Sequence, residues 1–161
     1  MKIRPAHQSD IPFILPMIAK ICALHQFWDS AKYDFLPNPE QLYKNWLSKL
    51  LEDPRNLCLI AETVELSSCS KLVAFLIATV EQEIPIYHLN EFGFIHDVWV
   101  EKDYRHGGIA RQLVARAIAH FTQLGVQQIR LDTAISNESA RQLFSDCGFR
   151  PSTIEMLLEL M

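Results

Sequence analysis

The sequence predicts a single α/β domain, residues 1–161, built around one mixed β-sheet. Strand-like apolar runs are interleaved with amphipathic helical segments along the chain, in the order βααβββαβαβ. A length of 161 residues suits one domain with a substantial core, and 49% hydrophobic with 21% charged residues is typical of a globular chain. These values exclude a disordered protein.

The chain begins with a short edge strand and a long helix. The strand starts at Ile3, and Ser9-Asp10 provides N-cap chemistry for a helix that runs to about Leu24. Pro16 is expected to kink this helix or to delay its start, because proline lacks the N–H that a helix interior uses. Residues 27–37 show no clear period and are predicted to form a loop.

A second helix and three strands follow. Asn38-Pro39 opens the helix, with Gln41 three residues after the cap as in a capping box. Its inner face is predicted to carry Leu42, Trp46 and Leu50. Three apolar runs are predicted to be strands: Leu57–Val64, Lys71–Glu81 and Phe94–Val100. The segment Leu66–Ser70 is predicted to be a turn.

The last third of the chain continues the alternation. An amphipathic helix is predicted between Gly108 and Gly125, followed by a half-buried strand at 128–134. Asn137 is placed to cap a short helix that Gly148 ends, and a final strand is predicted over 153–160.

Composition narrows the classes of partner. The net charge of −4 gives no general attraction to nucleic acid and weakly favours cationic partners such as amines. No stretch approaches the roughly 20 apolar residues that span a bilayer, and the N-terminus lacks the apolar run of a secretion signal. We therefore expect neither nucleic acid nor membrane as a partner.

The cysteines predict a cytoplasmic protein without metal. They are isolated from one another, with no C-x-x-C pair and no histidine at metal-ligand spacing: Cys22, Cys58, Cys69 and Cys147. Scattered cysteines of this kind are typical of reduced thiols, so we expect neither disulfides nor structural zinc.

One segment predicts an anion site. Residues 98–110 are the end of a strand, a turn containing Gly107-Gly108, and the start of a helix. This arrangement directs several backbone N–H groups toward one point at the positive end of a helix dipole. Arg105, His106 and Arg111 add side-chain donors, so a pyrophosphate is the ligand that suits the site. Taken alone, Gly107-Gly108 is equally consistent with a plain tight turn, and the segment matches neither the P-loop nor the G-x-G-x-x-G pattern.

The wider context of this turn resembles a known family. Arg105-x-x-Gly108-x-Ala110 is similar to the R/Q-x-x-G-x-G/A signature of the GNAT superfamily of acyl-CoA N-acyltransferases. The resemblance continues upstream in Asp97-Val-Trp-Val100 and Asp103-Tyr104, and downstream in Asn137-x-x-Ala140-x-x-Leu143-Phe-x-x-x-Gly148-Phe149. The opening Ile3-Arg-Pro-Ala-x-x-x-Asp10 is also typical of the superfamily, so the motifs span nearly the whole chain in the right order.

The resemblance implies a centrally splayed sheet flanked by about four helices, with acetyl-CoA held as co-substrate between the strand that ends at Val100 and the strand at 128–134. Main-chain groups of the strand that ends at Val100 would hold the pantetheine, and the amides of the turn would hold the pyrophosphate. Asn137 would approach the CoA from the other wall of the cleft, although it is equally a plain helix cap. The implied set is Val98, Trp99, Val100, Arg105, His106, Gly107, Gly108, Ile109, Ala110, Arg111 and Asn137.

The implied reaction is direct transfer of the acetyl group to a primary amine. The amine must first lose its proton, since an alkyl ammonium has a pKa near 10. The oxyanion then needs a donor, for which the resemblance implies an N–H near Val100, and the thiolate of CoA needs a proton. The family often has a tyrosine as this acid, whereas this chain has Phe144, which cannot donate a proton.

His96 and Asp97 are the candidate catalytic residues. They stand where similar small-amine and polyamine acetyltransferases often have Glu-Asp, of which the first acid is a proposed base. A histidine, with a pKa near 6.5, can fill that role, although a lone histidine on a strand is more often structural. Asp97 is the second candidate, either to orient the amine or to hold a loop. Because adjacent strand residues point to opposite faces, the two side chains are not expected to form a pair on one side of the sheet.

The acceptor pocket is expected between the first two helices. Aromatic and acidic residues there suit a cationic amine: Trp28, Asp29, Tyr33 and Asp34. The alternative is that they belong to the core or to a dimer interface. The connection at 82–92, with Glu83 and Glu91, is a second source of acceptor contacts.

Three functions stay open at this point. The first is an acetyl-CoA-dependent N-acetyltransferase acting on a polyamine, amino acid, aminoglycoside or protein amine, as a monomer or a homodimer. The second, indicated by Phe144, is a CoA-binding regulatory or accessory domain that has lost catalysis. The third is an α/β domain that binds a different nucleotide.

Overall fold

The computed structural model describes residues 1–64 and 70–161. Five strands and four α-helices occur in these ranges, in the order βααβββαβα. The strands are β1 (Lys2–Pro5), β2 (Leu57–Val64), β3 (Ser70–Gln82), β4 (Glu91–Val100) and β5 (Ile129–Leu131). The helices are α1 (Ile11–Trp28), α2 (Pro39–Leu50), α3 (Ile109–Gln123) and α4 (Glu138–Asp146).

The strands form one mixed sheet in sequence order, β1-β2-β3-β4-β5. The first four strands are antiparallel, and β5 is parallel to β4. This arrangement confirms the predicted fold class, because hairpins connect β2 to β3 and β3 to β4, whereas the parallel pair is joined across α3.

Two apolar layers cover the two faces of the sheet. On one face α3 and α4 pack against alternate strand residues such as Leu76 and Ile95. On the other face α1 and α2 pack against the intervening residues, such as Phe75 and Ile77. Because both faces are buried, β3 reads as a continuous apolar run and not as a polar–apolar alternation.

Asp10 is the N-cap residue of α1, as predicted, but its side chain makes no capping hydrogen bond to the helix and is held by ionic contacts instead. The Arg4 guanidinium donates to Asp10 at 2.8 and 3.0 Å and to Glu62 at 3.2 and 3.3 Å. The Arg4 hydrogen bond holds the pKa of Asp10 below its usual range. These contacts tie β1, β2 and the first turn before α1 together.

The close approach of α3 to β4 requires a glycine. A Cβ atom at Gly93 would lie 2.8 Å from the Phe121 ring, which is closer than side-chain atoms can pack. Phe121 is fully buried, so the ring has no room to withdraw. Gly93 therefore sets the distance between this helix and the strand that carries the candidate catalytic residues.

Several element predictions were wrong in detail. Pro16 lies inside α1, which begins at Ile11 and continues to Trp28. Asn38 precedes α2 with φ of 51° and its side chain does not cap the helix; within the described residues, Gln41 N–H bonds the Asn38 carbonyl. Leu42 is exposed, contrary to the prediction, whereas Leu50 is buried and Trp46 is partly buried against the core, as predicted. Leu47 is a further buried residue of this face.

Two strand predictions in the C-terminal third were also wrong. The strand predicted at 128–134 is shorter, Ile129–Leu131, because the chain leaves β4 after that point. The segment 153–160 has strand-like composition but forms no strand, since no described strand pairs with it and its side chains are exposed. The turn predicted at Leu66–Ser70 lies outside the described residues except for Ser70, which begins β3.

The segment Gln8–Trp28 is long and apolar enough to span a membrane by length and composition alone. This finding contradicts the expectation that no stretch of the chain comes near that length. In the structure one side of α1 packs on the sheet through Ile14, Ile18 and neighbouring apolar residues. The length and apolar composition of this segment are therefore explained by the position of α1 as a core helix.

Candidate active site

The sheet opens between β4 and β5. The two strands pair only over Gly93–Ile95 with Ile129–Leu131, preceded by the bond from Gly93 N–H to the Gln128 carbonyl. Beyond Ile95, β4 continues for five residues to Val100 on the side where its parallel neighbour has ended. The main-chain groups of Val98–Val100 along that edge are thus available to an extended ligand, as the splayed sheet predicts.

The turn after β4 presents unused backbone donors. His106 and Gly108 have φ of 64° and 77°, and α3 begins immediately afterwards at Ile109. Among the described residues, none of the amide N–H groups from His106 to Arg111 donates a hydrogen bond; the helix ladder starts with the bond from Gln112 to Gly108. Six consecutive donors at a helix N-terminus match the requirements of a pyrophosphate.

The glycine at the helix start is needed for its conformation and not for packing. A Cβ at Gly108 would meet no atom within 4 Å, so the space above this residue is open. Its φ of 77° is costly for any other residue type. Both properties fit a position over which a phosphate group lies.

The side chain of Arg105 braces the turn. Its Nε donates to the carbonyl of Val100 at 2.9 Å, and its guanidinium lies 4.9 Å from the centroid of the Trp99 ring. Arg111 reaches the other way, to Asp146 of α4 at 3.0 Å. The two arginine side chains thus have partners within the protein, whereas the amides of His106–Arg111 have none among the described residues.

The residues expected on the opposite wall have structural contacts. Asn137 accepts a hydrogen bond from Ala140 N–H at 3.1 Å and so caps α4. Phe144 is buried and lies edge-on to Phe149 at 5.5 Å. The position at which the family often has a tyrosine is therefore part of the core in this chain.

A β-bulge brings His96 and Asp97 to the same face of β4, contrary to the expectation that they point apart. The β3–β4 register shifts between Ile77, which pairs with Asp97, and Ala78, which pairs with Ile95. His96 is the extra residue of the bulge, and two successive side chains in such a bulge share a side. Both residues accordingly face α2.

His96 lies in an aromatic and hydroxyl-lined recess. Its ring is 5.0 Å from Trp46 and 4.9 Å from Phe94, both edge-on. Its Nε2 is 2.7 Å from the hydroxyl of Thr79, which in turn is 2.5 Å from Oε1 of Glu81. Burial lowers the pKa of His96 below its usual value, and the Glu81 carboxylate offsets part of this effect. The ring is therefore neutral at neutral pH and able to accept a proton.

Asp97 is a buried carboxyl. Burial raises its pKa to about 6, against a hydrogen bond from Tyr43 and the charge of His25, which act in the opposite direction. Its Oδ2 has no hydrogen-bond partner among the described residues. A nearly buried, partly unsatisfied carboxylate with a shifted pKa is typical of a functional group.

Sequence reasoning missed Tyr43, Thr79 and Glu81. Tyr43 and Trp46 lie edge-on to each other at 5.4 Å and bring α2 against the bulge. Their spacing with Leu47 and Leu50 is that of one helix face, so the helical period held a signal for them. Thr79 and Glu81 alternate with apolar residues at the end of β3, and only the pairing of strands brings them to His96.

Two of the four residues expected in the acceptor pocket cluster around His25. Trp28 and Tyr33 lie edge-on to its ring at 5.4 and 4.8 Å. Asp29 accepts a hydrogen bond from the backbone of Lys32, and Asp34 is exposed. The charge of His25 also acts to lower the pKa of Asp97, against the larger effect of burial, which links this aromatic cluster to one of the two candidate catalytic residues.

A cavity borders α1, and none of the four residues expected in the acceptor pocket lines it. Its volume is about 300 Å³, and it lies between α1 and the segment that leads into α2, lined by Ala19, Cys22, Ala23, Gln26 and residues 35–40. The two glutamates of the β3–β4 connection are engaged elsewhere, Glu83 with Arg130 at 2.6 Å and Glu91 with Arg55 at 2.5 Å.

A family model described as the acetyltransferase (GNAT) family matches residues 21–149. The chain belongs to the GNAT acetyltransferase family. The match covers β2 to α4 and includes the opening between β4 and β5, the turn at 105–111 and the bulge. Within the described residues no group of three or more potential ligands is placed to bind a metal.

Solved structures share this GNAT fold at low identity. The BH1408 protein from Bacillus halodurans, in a tetramutant form, is 22% identical with a TM-score of 0.82, covering 99% of this chain and 100% of that one. An aminoglycoside 6′-N-acetyltransferase from Acinetobacter haemolyticus is 18% identical with a TM-score of 0.73, covering 100% and 99%. Glucosamine-6-phosphate N-acetyltransferase from Arabidopsis thaliana is 16% identical with a TM-score of 0.70, covering 99% and 98%.

A curated relative matches over a shorter range. The N-alpha-acetyltransferase MAK3 of Arabidopsis thaliana is 39% identical over 57 residues, which are 35% of this chain and 30% of that protein. The match thus spans less than a third of the relative's length.

Proposed function

We propose that this protein transfers the acetyl group of acetyl-CoA directly to a primary amine. The observation that carries the proposal is that three features follow one another along residues 96–111. They are a neutral histidine at the bulge of β4, the open edge of β4, and the unused amides of the turn after it. The relatives named above as acetyltransferases of aminoglycosides, glucosamine-6-phosphate and N-terminal amines support a primary amine as acceptor.

The residues present fit acetyl-CoA. The amide groups of His106–Arg111 would hold the pyrophosphate, with open space above Gly108, and the edge of Val98–Val100 would hold the pantetheine; Asn137 would approach from α4 through its side-chain amide. When bound, acetyl-CoA supplies a thioester, whose carbonyl carbon is the electrophile.

His96 is the proposed base. It takes one proton from the substrate ammonium, directly or through a water, and the freed nitrogen lone pair forms a bond to the thioester carbon. A backbone N–H near Val100 stabilises the oxyanion, the C–S bond breaks, and the second proton of the nitrogen passes through water to the thiolate. Water is assigned this last step because Phe144 is buried and lacks a hydroxyl.

Asp97 is the residue that we propose to contact the acceptor amine. Its carboxylate shares a face of the sheet with His96, and its pKa, raised by burial, is lowered in part by the charge of His25, the ring that Trp28 and Tyr33 contact. Carboxylates and aromatic rings both favour a cationic group. Asp29 and Asp34 are exposed in the connection between α1 and α2 and would draw the cation toward this side of the molecule.

A CoA-binding domain without turnover is the second candidate, favoured by the buried Phe144. Release of CoA thiol from acetyl-CoA, measured against a panel of polyamines, amino acids, aminoglycosides and N-terminal peptides, separates the two. Turnover with at least one amine, lost in His96→Gln, supports the enzyme. Tight CoA binding by calorimetry with no turnover across the panel supports the binding domain. A thermal shift with another nucleotide and none with CoA contradicts both.

The cellular setting and assembly are further proposals. Burial raises the pKa of Cys22 to about 11 and that of Cys58 to about 12, so both are protonated thiols without a covalent role. Free thiols at Cys22, Cys58 and Cys147 support a cytoplasmic location, which fractionation of cells expressing the protein tests.

The exposed apolar residues of 153–161 support a homodimer.

A further inference from the structure

Three polar side chains form a chain of hydrogen bonds across β3 and β4. Thr79 and Glu81 are two residues apart on β3 and face the same side, and the bulge in β4 brings His96 above them. The Thr79 hydroxyl lies 2.5 Å from Oε1 of Glu81 and 2.7 Å from Nε2 of His96. Thr79 is buried, whereas the Glu81 side chain is 45% exposed.

The donors and acceptors in this chain permit one proton arrangement. A carboxylate only accepts hydrogen bonds, so the short contact to Glu81 uses the single proton of the Thr79 hydroxyl. The hydroxyl can then only accept from His96, and Nε2 of the imidazole must carry a hydrogen. In the neutral ring the lone pair consequently lies on Nδ1.

We propose that Thr79 and Glu81 are positioning residues that hold His96 in its Nε2–H tautomer and leave Nδ1 as the atom that accepts the substrate proton. The inference rests on the proposed function, in which His96 is the base. The hydroxyl of Thr79 transfers no proton; it orients the ring, and the Glu81 carboxylate, 3.7 Å from Nε2, stabilises the imidazolium once Nδ1 has taken the proton.

The surroundings of the ring support this assignment. Trp46 of α2 and Phe94 of β4 contact it edge-on, and neither is a titratable group. Glu81 is the charged group that faces the ring from β3, and the titratable groups on the same side of the sheet include Asp97, Tyr43, Cys22 and His25. Within the described residues, the polar contacts of the His96 ring, the hydroxyl of Thr79 at 2.7 Å and the carboxylate of Glu81 at 3.7 Å, are both made at Nε2.

The tautomer is measurable without catalysis. Imidazole ¹⁵N–¹H correlation spectra of the uniformly labelled protein, with His96 assigned by comparison with His96→Gln, distinguish Nε2–H from Nδ1–H. We expect Nε2–H in the wild type and in Thr79→Ser, which keeps the hydroxyl, and a mixture of tautomers in Thr79→Val. An Nδ1–H tautomer in the wild type, or identical spectra for the Ser and Val variants, overturns the proposal.

Kinetic measurements on variants of Thr79 and Glu81 separate a positioning role from a merely structural one. Thr79→Val should lower kcat about tenfold with little change in the KM for amine, a fraction of the ~10²–10⁴-fold that a placed base contributes, whereas Thr79→Ser should retain activity. Glu81→Gln should move the acid limb of kcat/KM to lower pH, because the imidazolium loses its neighbouring charge. Glu52→Gln, an exposed glutamate after α2, is the matched control.

The two failures are distinguishable. If His96→Gln leaves kcat/KM and its pH profile unchanged, the base role in the proposed function is wrong, whatever tautomer the spectra show. If His96→Gln abolishes turnover but Glu81→Gln does not move the acid limb and Thr79→Val behaves as Thr79→Ser, the base role stands and the positioning role of Thr79 and Glu81 is wrong.

Discussion

At the scale of single residues, Asp97 is the group that the protein buries at a cost. Its Oδ2 lacks a partner within the described residues, and its pKa is raised to about 6, first by burial. The hydrogen bond from Tyr43 offsets only part of the desolvation. A neutral side chain would be buried here at a lower cost in free energy, so the buried carboxyl is consistent with the substrate role that we propose for Asp97.

Replacement of Asp97 by asparagine tests this cost. A carboxyl whose pKa is higher in the folded than in the unfolded state binds its proton more tightly when folded, so the wild type loses stability as pH rises from about 4 to 6. We expect the free energy of unfolding of Asp97→Asn, relative to the wild type, to increase over this range by on the order of 3 kcal/mol. Urea denaturation at pH 4, 6 and 8 measures it.

A pH-independent difference between the two proteins would show that the Asp97 carboxyl is not destabilised by burial. Asp53→Asn, at an exposed position after α2, is the control and should leave the pH dependence unchanged. If Asp97 also contacts the amine, the Asn variant should be more stable at pH 8 and yet have a raised KM for the acceptor.

At the scale of elements, the start of α3 combines an unusual backbone with unused donors. Gly108 and Gly125 stand before and after this helix with φ of 77° and 76°, and a Cβ at either position meets no atom within 4 Å. The two sites thus carry equal conformational strain for any other residue, while only one lies in the turn.

This pair allows a matched experiment on CoA binding. Gly108→Ala and Gly125→Ala should each destabilise the protein by about 1 kcal/mol, because both force alanine into the left-handed region. Only Gly108→Ala should weaken CoA binding, by about tenfold or more, since a shift of the turn moves several amide donors at once. Calorimetric titration with CoA measures both; equal affinities for the two variants would place the anion elsewhere.

The contact between α3 and β4 has its own test. Gly93→Ala introduces a Cβ 2.8 Å from the Phe121 ring and should cost about 1–3 kcal/mol of unfolding free energy. Phe121→Leu removes part of that ring, so the double variant should be less destabilised than the sum of the two single variants. Additive effects in thermal or urea unfolding would mean that the strand and the helix adjust independently.

The elements differ in how far the sequence could predict them. The turn at 105–111 and the helix after it are local, so glycine spacing and helical period were sufficient. The bulge at His96 was not predictable in this way, because a register shift depends on how Ile77 and Ala78 of another strand pair. The same reason hid Thr79 and Glu81: their contact with His96 is made by strand pairing and not by proximity along the chain.

At the scale of the whole molecule, the segment 153–161 is the largest departure from the predicted sheet. Its apolar residues suit a strand, but a strand also needs a partner for its backbone groups, and none of the described strands provides one. Ile154 and Leu158 are each 83% exposed, and Lys32 holds the segment through an ion pair with Glu155. An exposed apolar segment of this kind is typical of an interface.

We therefore expect a homodimer that the segment 153–161 helps to hold together. Sedimentation velocity at tens of micromolar should give a dimer for the wild type and a monomer for the double variant Ile154→Glu/Leu158→Glu. Because both side chains are exposed, the substitution should leave the unfolding of the monomer within about 0.5 kcal/mol. Glu159→Gln on the same segment is the control, and a monomeric wild type would contradict the proposal.

The short ladder between β4 and β5 has a consequence for how the molecule holds together. Only three residues of β4 pair with three residues of β5. The last third of the chain is therefore joined to the rest of the sheet by few backbone hydrogen bonds, together with the packing of α3. A ligand that touches both the edge of β4 and the start of α4 would link the two parts. Local opening of β5 and α4 would then be suppressed by occupancy, and amide hydrogen exchange there would slow while β1 to β3 exchange as before.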